Sequence, residues 1–138
     1  MEIKIYNIKG IEIEIKKESK FHEPKVEFKG VSKLEGTPKQ IKWADSIRKE
    51  QVVKMLNRYR NFKASVKKYY NLVEDDDKIQ KMNQEFEDYV FEFLSQKSAA
   101  EWIKNRNFYE FENIFKEKFR HIFKPETKQS VKSPKINI

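Results

Sequence analysis

The first eighteen residues alternate between apolar and polar side chains, the pattern of half-buried β-strands. Ile3 and Ile5 fall on one face of the first run, and we expect that face to be buried. The matching positions of the second run are Ile11, Ile13 and Ile15. Asn7 to Gly10 separate the runs, and since Asn and Gly tolerate positive φ we expect a hairpin there. Residues 24–31, PKVEFKGV, predict a third strand. Three strands with one apolar face need a cover, which we expect helices to provide.

A strong helix-start signal follows the predicted sheet. Thr37 precedes Pro38, and Gln40 lies three residues after Thr37, which together make a T-x-x-Q capping box with proline in the first turn. The signal predicts a helix that begins at Thr37 and continues to about Tyr59 or further. Its apolar positions share one broad face: Ile41, Ala44, Ile47, Val52, Met55, Leu56, Tyr59 and Phe62.

The rest of the chain carries three more helical patterns. The polar segment 74–77 predicts an acidic N-terminus for an amphipathic helix whose apolar residues recur every three or four positions over 79–94. Residues 98–106 begin with S-x-x-E and predict a short helix. A further helix is expected over 108–122, with Phe108, Phe111, Phe115, Phe119 and Ile122 on one face and Pro125 ending it.

These elements predict an α+β fold with an N-terminal three-stranded antiparallel sheet followed by three to four packed helices. We expect one domain over residues 1–124, with a β-meander at 1–34 and a helical part at 37–124. Residues 125–138 lack both periodicity and bulky apolar side chains, so we expect a flexible basic tail there.

Charge is distributed unevenly along the chain, whose 138 residues carry a net charge of +8. Residues 1–38 hold 8 basic and 7 acidic side chains, and residues 39–70 hold 10 and 2. Residues 74–95 reverse the balance with 2 and 8, and residues 96–138 hold 10 and 5.

The absence of cysteine excludes disulfides and thiolate metal sites. With no signal peptide and no long apolar run, we expect a cytoplasmic protein without a membrane span.

Two tryptophan–arginine pairs are the first candidate binding residues. Trp43 and Arg48 lie in the first predicted helix, and Trp102 and Arg106 lie in the short one, each pair just after a capping box. Trp and Arg are common anchors of protein interfaces, so an exposed surface of these residues would bind a partner. Alternatively, Trp43 packs on the sheet, Arg48 is a solvated or capping charge, and the two pairs mark two ordinary helix starts. The sequence leaves both interpretations open.

The segment RYRNFKASVKKYY, residues 58–70, interleaves cations with aromatic rings. Single-strand binding proteins use this combination, since cations neutralise phosphates and rings stack on bases. The candidate nucleic-acid-binding residues are Arg58, Arg60, Lys63, Lys67 and Lys68. The alternative is a solvated helix whose rings face inward.

The acidic segment admits two further interpretations besides a helix N-terminus. A calcium loop that began at Asp75 would need glycine and glutamate where Gln80 and Phe86 stand, so the EF-hand pattern fails. Asp75, Asp76 and Asp77 could instead imitate nucleic-acid phosphates and bind a basic groove of a partner.

His22 and His121 have no neighbours at ligand spacing. We therefore expect no metal, no cofactor and no catalytic residues.

Residues 36–48, GTPKQIKWADSIR, resemble a group of small proteins from phages and mobile elements with a Gly-[Ser/Thr]-x-Lys-Gln-[Ile/Val]-x-Trp-Ala-x-x-Ile-Arg segment. The later Ala-x-x-Trp-Ile-x-x-Arg segment of that group is similar to Ala99, Trp102, Ile103 and Arg106. By analogy the resemblance implies a phage counter-defence protein, such as an anti-CRISPR inhibitor, and it carries over no catalytic residue.

Two functions are therefore expected. The first is a non-enzymatic inhibitor that binds a host protein or ribonucleoprotein complex that processes nucleic acid, with a CRISPR effector as the example. The second is direct nucleic-acid binding through the basic aromatic helix 58–70.

Overall fold

A computed structural model describes residues 1–123, so the predicted tail at 125–138 lies outside the described residues. Three strands, β1 (Glu2–Ile8), β2 (Ile11–Lys17) and β3 (Lys25–Lys29), form an antiparallel sheet in the order β1-β2-β3. The hairpin between β1 and β2 turns at Lys9 and Gly10, whose φ angles of 48° and 87° suit a tight two-residue turn. The predicted meander is confirmed, although Lys9 takes the positive φ expected for Asn7.

Five helices follow the sheet within the described residues: α1 (Pro38–Tyr70), α2 (Asp77–Phe93), α3 (Ala99–Lys104), α4 (Phe111–Lys118) and α5 (Arg120–Phe123). Thr37 caps α1 as predicted, since its hydroxyl accepts from the Gln40 backbone N–H and the Gln40 side chain accepts from the Thr37 N–H. Helix α1 continues to Tyr70 and ends at Asn71, which adopts a left-handed conformation. The α+β class and its element order are confirmed.

The first strand buries the face opposite to the one predicted. Ile3 and Ile5 are 49% and 54% exposed, whereas Ile8 is buried and Tyr6 packs against the core. The register explains this result: Tyr6 pairs with Ile13, which is fully buried, and directly paired residues share a face of the sheet. The expectation that Ile3 and Ile5 are buried is therefore wrong.

Aromatic rings fill the main core between the sheet and the helices. Tyr59 of α1 stacks on Phe86 of α2 at 3.7 Å between ring centroids, and Phe115 of α4 meets both rings edge-on. The Tyr59 hydroxyl donates to the Asn83 side chain, which satisfies its polar end inside the core. Burial raises the pKa of Tyr59 far above its ordinary value, so this hydroxyl stays protonated.

The helix predicted over 108–122 is divided into α4 and α5. Phe119 lies between them as the C-cap of α4, while Phe111, Phe115, Phe119 and Ile122 are buried as expected. Phe108 lies before α4 and is 70% exposed, so its place on the buried face is a wrong prediction. The break lets the short α5 contact α2, where His121 and Glu85 lie 2.9 Å apart.

Candidate interaction surface around Trp43 and Arg106

The two segments that carry the tryptophans pack against each other. The backbone carbonyl of Glu35, just before α1, accepts from the Ala99 N–H at 2.9 Å, and the Glu35 backbone N–H donates to the Lys97 carbonyl at 2.7 Å. Gly36 lies so close to α3 that an added Cβ would come within 3.1 Å of the Ala99 Cβ. A second, smaller core then joins α1 to α3 through Ala44, Ile47, Ala99 and Trp102. Five of the thirteen residues that carry the resemblance therefore hold these two segments together: Gly36, Ala44, Ile47, Ala99 and Trp102.

Trp102 is one of the largest fully buried side chains of the described structure, with 1% of its surface exposed. Its indole N–H donates to the Gln96 carbonyl at 2.9 Å, and its ring meets Phe93 edge-on at 5.1 Å. A tryptophan at such a site needs a partner for its N–H, and the Gln96 carbonyl provides it. Of the two interpretations left open by the sequence, the structure supports a core residue at Trp102, because the α1–α3 contact covers it.

Arg48 is also buried, at 5% exposure. Its guanidinium donates to the Ser32 carbonyl and to the Asp45 carboxylate, both at 3.1 Å, and lies over the Phe28 ring at 5.1 Å. Burial alone would raise the pKa of Asp45, but hydrogen bonds from Lys49 and Arg48 outweigh it and hold that pKa below its ordinary value. Arg48 thus ties α1 to the segment after β3, and the structure leaves it neither solvated nor open to a partner.

Trp43 and Arg106 are the exposed members of the two predicted pairs. Trp43 is 51% exposed, and the Arg106 guanidinium lies 5.0 Å from its ring centroid, within the range of a cation–π contact. The structure therefore pairs the tryptophan of one segment with the arginine of the other. Each segment supplies one buried residue, Trp102 or Arg48, and one exposed residue.

Two hydrogen bonds hold the exposed Arg106 in place beside Trp43. Its guanidinium donates to the Ile103 carbonyl at the end of α3, and its own carbonyl accepts from the Gln51 side chain at 3.4 Å. Gln51 is a buried polar residue of α1, whose side-chain oxygen has no partner among the described residues. Sequence reasoning missed Gln51, because a lone glutamine on a helix gives no signal of burial.

The predicted nucleic-acid-binding cations do not form one patch. Lys63 and Lys67 both contact the Glu74 carboxylate, each at 3.0 Å, and Asn83 donates to the same group. The hydrogen bond from Lys63, with those from Lys67 and Asn83, lowers the pKa of Glu74 to about 2. Two of the five cations therefore serve to connect the end of α1 to the start of α2.

The other three cations point in different directions. Arg58 lines a groove between α1 and α4, whereas Arg60 lies on the side of α1 that faces β1 and α2. Lys68 is exposed near the end of α1. Positions on a helix share a face at spacings of three and four, so residues 58, 60 and 68 diverge.

The acidic segment forms a helix start, as predicted. The Asp76 carboxylate accepts from the Lys78 N–H at 2.8 Å as the N-cap of α2, and Asp77 occupies the first turn. Asp75 and Asp77 are exposed. The acidity of α2 is partly balanced within the molecule, since Asp88 pairs with Lys9.

Residues 1–123 contain no cluster of three or more His, Asp or Glu side chains that could hold a metal ion. Within the same range, no helix combines the length and the apolar character that crossing a membrane requires. No protein-family model, curated protein or solved structure matches this chain.

Proposed function

We propose that this protein is a non-enzymatic binding protein that acts on a larger macromolecular complex through the surface formed by Trp43 and Arg106. The observation that carries the proposal is the half-exposed Trp43 ring held under the Arg106 guanidinium, on a helix of 33 residues. A tryptophan left half in water forgoes much of the free energy that its burial would contribute. A partner that covered the ring would recover it.

The geometry of this pair supports a protein interface. Trp and Arg dominate the energetically important residues of such interfaces, and anchors on a rigid element lose little conformational entropy on binding. Helix α1 is capped at both ends, and Gln51 and Ile103 fix the position of Arg106. The pair is thus organised before any partner arrives.

The class of partner follows from the resemblance of residues 36–48 to proteins of phages and mobile elements. We propose a host complex that processes nucleic acid, with a CRISPR effector as the specific candidate and the host cytoplasm as the place of action. The uneven charge along the chain would speed the encounter with such a complex, while Trp43 and Arg106 would supply the affinity.

Affinity capture from host cells tests the interface. The variants are Trp43→Ala and, as a matched control, Phe91→Ala, because Phe91 is 45% exposed and lies on α2. We expect a partner that is retained by the wild type and by Phe91→Ala and is depleted at least about tenfold with Trp43→Ala, the size of a typical hot-spot loss. Equal recovery by all three proteins would reject this surface.

A plasmid-interference assay tests the specific candidate. Cells with an active CRISPR system lose a targeted plasmid, and an inhibitor should restore transformation to the level of an untargeted plasmid. We expect the wild type and Phe91→Ala to restore it and Trp43→Ala to fail. If no CRISPR type responds to the wild type while the capture experiment finds a Trp43-dependent partner, the effector assignment falls and the binding surface stands.

A further inference from the structure

A second surface lies along the C-terminal half of α1, which runs beside α4 and α5. A groove of about 470 Å³ opens there, with Arg58 and Tyr69 on one wall and Lys116 on the other. It continues past Tyr70 to Arg120 and Phe123. The groove is open along its length, so an extended chain can lie in it.

Aromatic rings line the groove and remain accessible. Tyr69 is 81% exposed and Tyr70 is 45% exposed, and the two rings meet edge-on at 4.8 Å. Tyr70 also stacks on Phe123, the last residue that the structure describes, at 5.0 Å. These exposures leave ring surface of both tyrosines accessible to a stacking ligand.

Cations outnumber acids along the same groove. Arg58, Lys116 and Arg120 line it, and Glu112 is its one acidic lining residue among those described. Lys116 pairs with Glu112 at 3.7 Å and Arg120 pairs with Glu117 at 2.9 Å. All four of these side chains are more than half exposed, so the pairs are weak and the cations can transfer to phosphates.

Beyond Phe123 the sequence adds four lysines and one glutamate in residues 124–138. Exposed rings flanked by cations in an open groove are the features with which proteins hold single-stranded nucleic acid, because every base can stack and every linkage carries a phosphate.

We propose that the α1–α4–α5 groove binds single-stranded DNA or RNA without sequence preference. The bases stack on Tyr69 and Tyr70, and Arg58, Lys116 and Arg120 contact the phosphates. This site replaces the predicted helix 58–70 surface. Of its five cations the groove keeps Arg58 and discards the other four, Arg60, Lys63, Lys67 and Lys68. It is independent of the Trp43–Arg106 surface.

Fluorescence anisotropy of a labelled oligo-dT strand of about 12 nucleotides, a length within the usual site size, tests the proposal on the full chain. With three phosphates neutralised, raising salt from about 50 to about 200 mM should weaken binding about 20-fold. Tyr69→Ala should weaken it at least about fivefold, the loss of one stacked base. Tyr69 is so exposed that the fold should tolerate the change.

A matched pair of charge reversals separates this groove from general electrostatic attraction. Arg58→Glu should weaken binding at least about tenfold, since it replaces one phosphate contact by repulsion. Arg60→Glu makes the same charge change two residues away, on the side of β1 and α2, and should change affinity less than about twofold. Trp43→Ala should bind the strand as the wild type does, so this test is separate from the proposed protein interface.

Three results would overturn the proposal: no binding at low salt, equal weakening by both reversals, or equal affinity for duplex and single-stranded DNA. An acidic peptide, poly-glutamate, serves as the competitor of another class. If it displaced the oligonucleotide from the wild type and from Tyr69→Ala with equal ease, charge alone would govern the groove and base stacking would be rejected.

Discussion

Replacement of the two tryptophans separates the residue that builds the fold from the residue that is free to bind. Trp102 is 1% exposed, and truncation to alanine would leave a large cavity between α1 and α3. Buried Trp→Ala changes cost about 3–5 kcal/mol of the free energy of unfolding. Since natural domains have about 5–15 kcal/mol in total, this variant loses a large fraction of its stability.

A milder substitution isolates the indole N–H. Trp102→Phe retains most of the ring but leaves the Gln96 carbonyl without its donor at 2.9 Å. Gln96 is an exposed residue, so water can replace the lost donor, and the loss of this hydrogen bond should cost about 0.5–1.5 kcal/mol. The variant should therefore fold and unfold at lower denaturant concentration. Trp102→Phe thus still tests the structural role of Trp102 if the Trp102→Ala variant does not fold.

Trp43 should behave differently because half of its side chain is already in water. Trp43→Ala removes the contact with Arg106, which contributes about 0.5–1 kcal/mol at an exposed site, and a part of the ring's burial. We expect a total loss of about 1 kcal/mol. The two alanine variants should therefore differ by at least about 2 kcal/mol.

Urea unfolding followed by far-ultraviolet circular dichroism measures these differences, since the signal does not depend on the tryptophans. Linear extrapolation with a common slope gives the free energy of unfolding of each variant. If Trp43→Ala proves as destabilising as Trp102→Ala, Trp43 is a structural residue and the proposed interface loses its anchor. If Trp102→Ala costs less than about 1 kcal/mol, our account of the α1–α3 core is wrong.

The remaining predictions concern charged residues. Arg48→Ala leaves the Ser32 carbonyl and the Asp45 carboxylate without their guanidinium donor and should cost about 2–3 kcal/mol in urea unfolding. Lys49→Ala removes the more exposed cation on the same carboxylate and should cost less than about 0.5 kcal/mol. Similar costs for the two variants would contradict the buried role of Arg48. The pKa of Glu74 is lowered in the folded state, so its stabilisation is complete above about pH 4.5 and is lost as the pH falls toward about 2. Because the Glu74 side chain is 52% exposed, we expect Glu74→Gln to cost no more than about 1 kcal/mol of the free energy of unfolding near pH 7. In acid the variant and the wild type should have the same stability. If the variant remained less stable at low pH, the effect would be one of packing.

Local signals in the sequence determined where the elements begin. The capping box at Thr37 and the acidic start of α2 involve residues within one helical turn, so their effect is independent of the rest of the chain. Strand alternation and helical periodicity likewise predicted an α+β fold with the sheet first. The prediction for α1, to about Tyr59 or further, left its end open, and the break at Phe119 was missed, because both depend on what packs against the helices.

The tertiary structure decided which face of each element is buried. Alternation fixes a period of two but not which set of residues points inward, and β1 has apolar residues on both faces. Pairing with β2 buried Tyr6 and Ile8 and left Ile3 and Ile5 outside.

The candidate site shows the same division between sequence and structure. Each tryptophan is followed in the sequence by an arginine, Trp43 by Arg48 and Trp102 by Arg106. Trp43 nevertheless meets Arg106, some 60 residues further along the chain, because α3 packs against α1. Local spacing could find the four side chains, since each follows a helix start. Contacts between segments far apart in the chain decide which of these side chains are buried and which are exposed. They bury Trp102 and Arg48 and leave Trp43 and Arg106 in solvent, and no local pattern encodes such contacts.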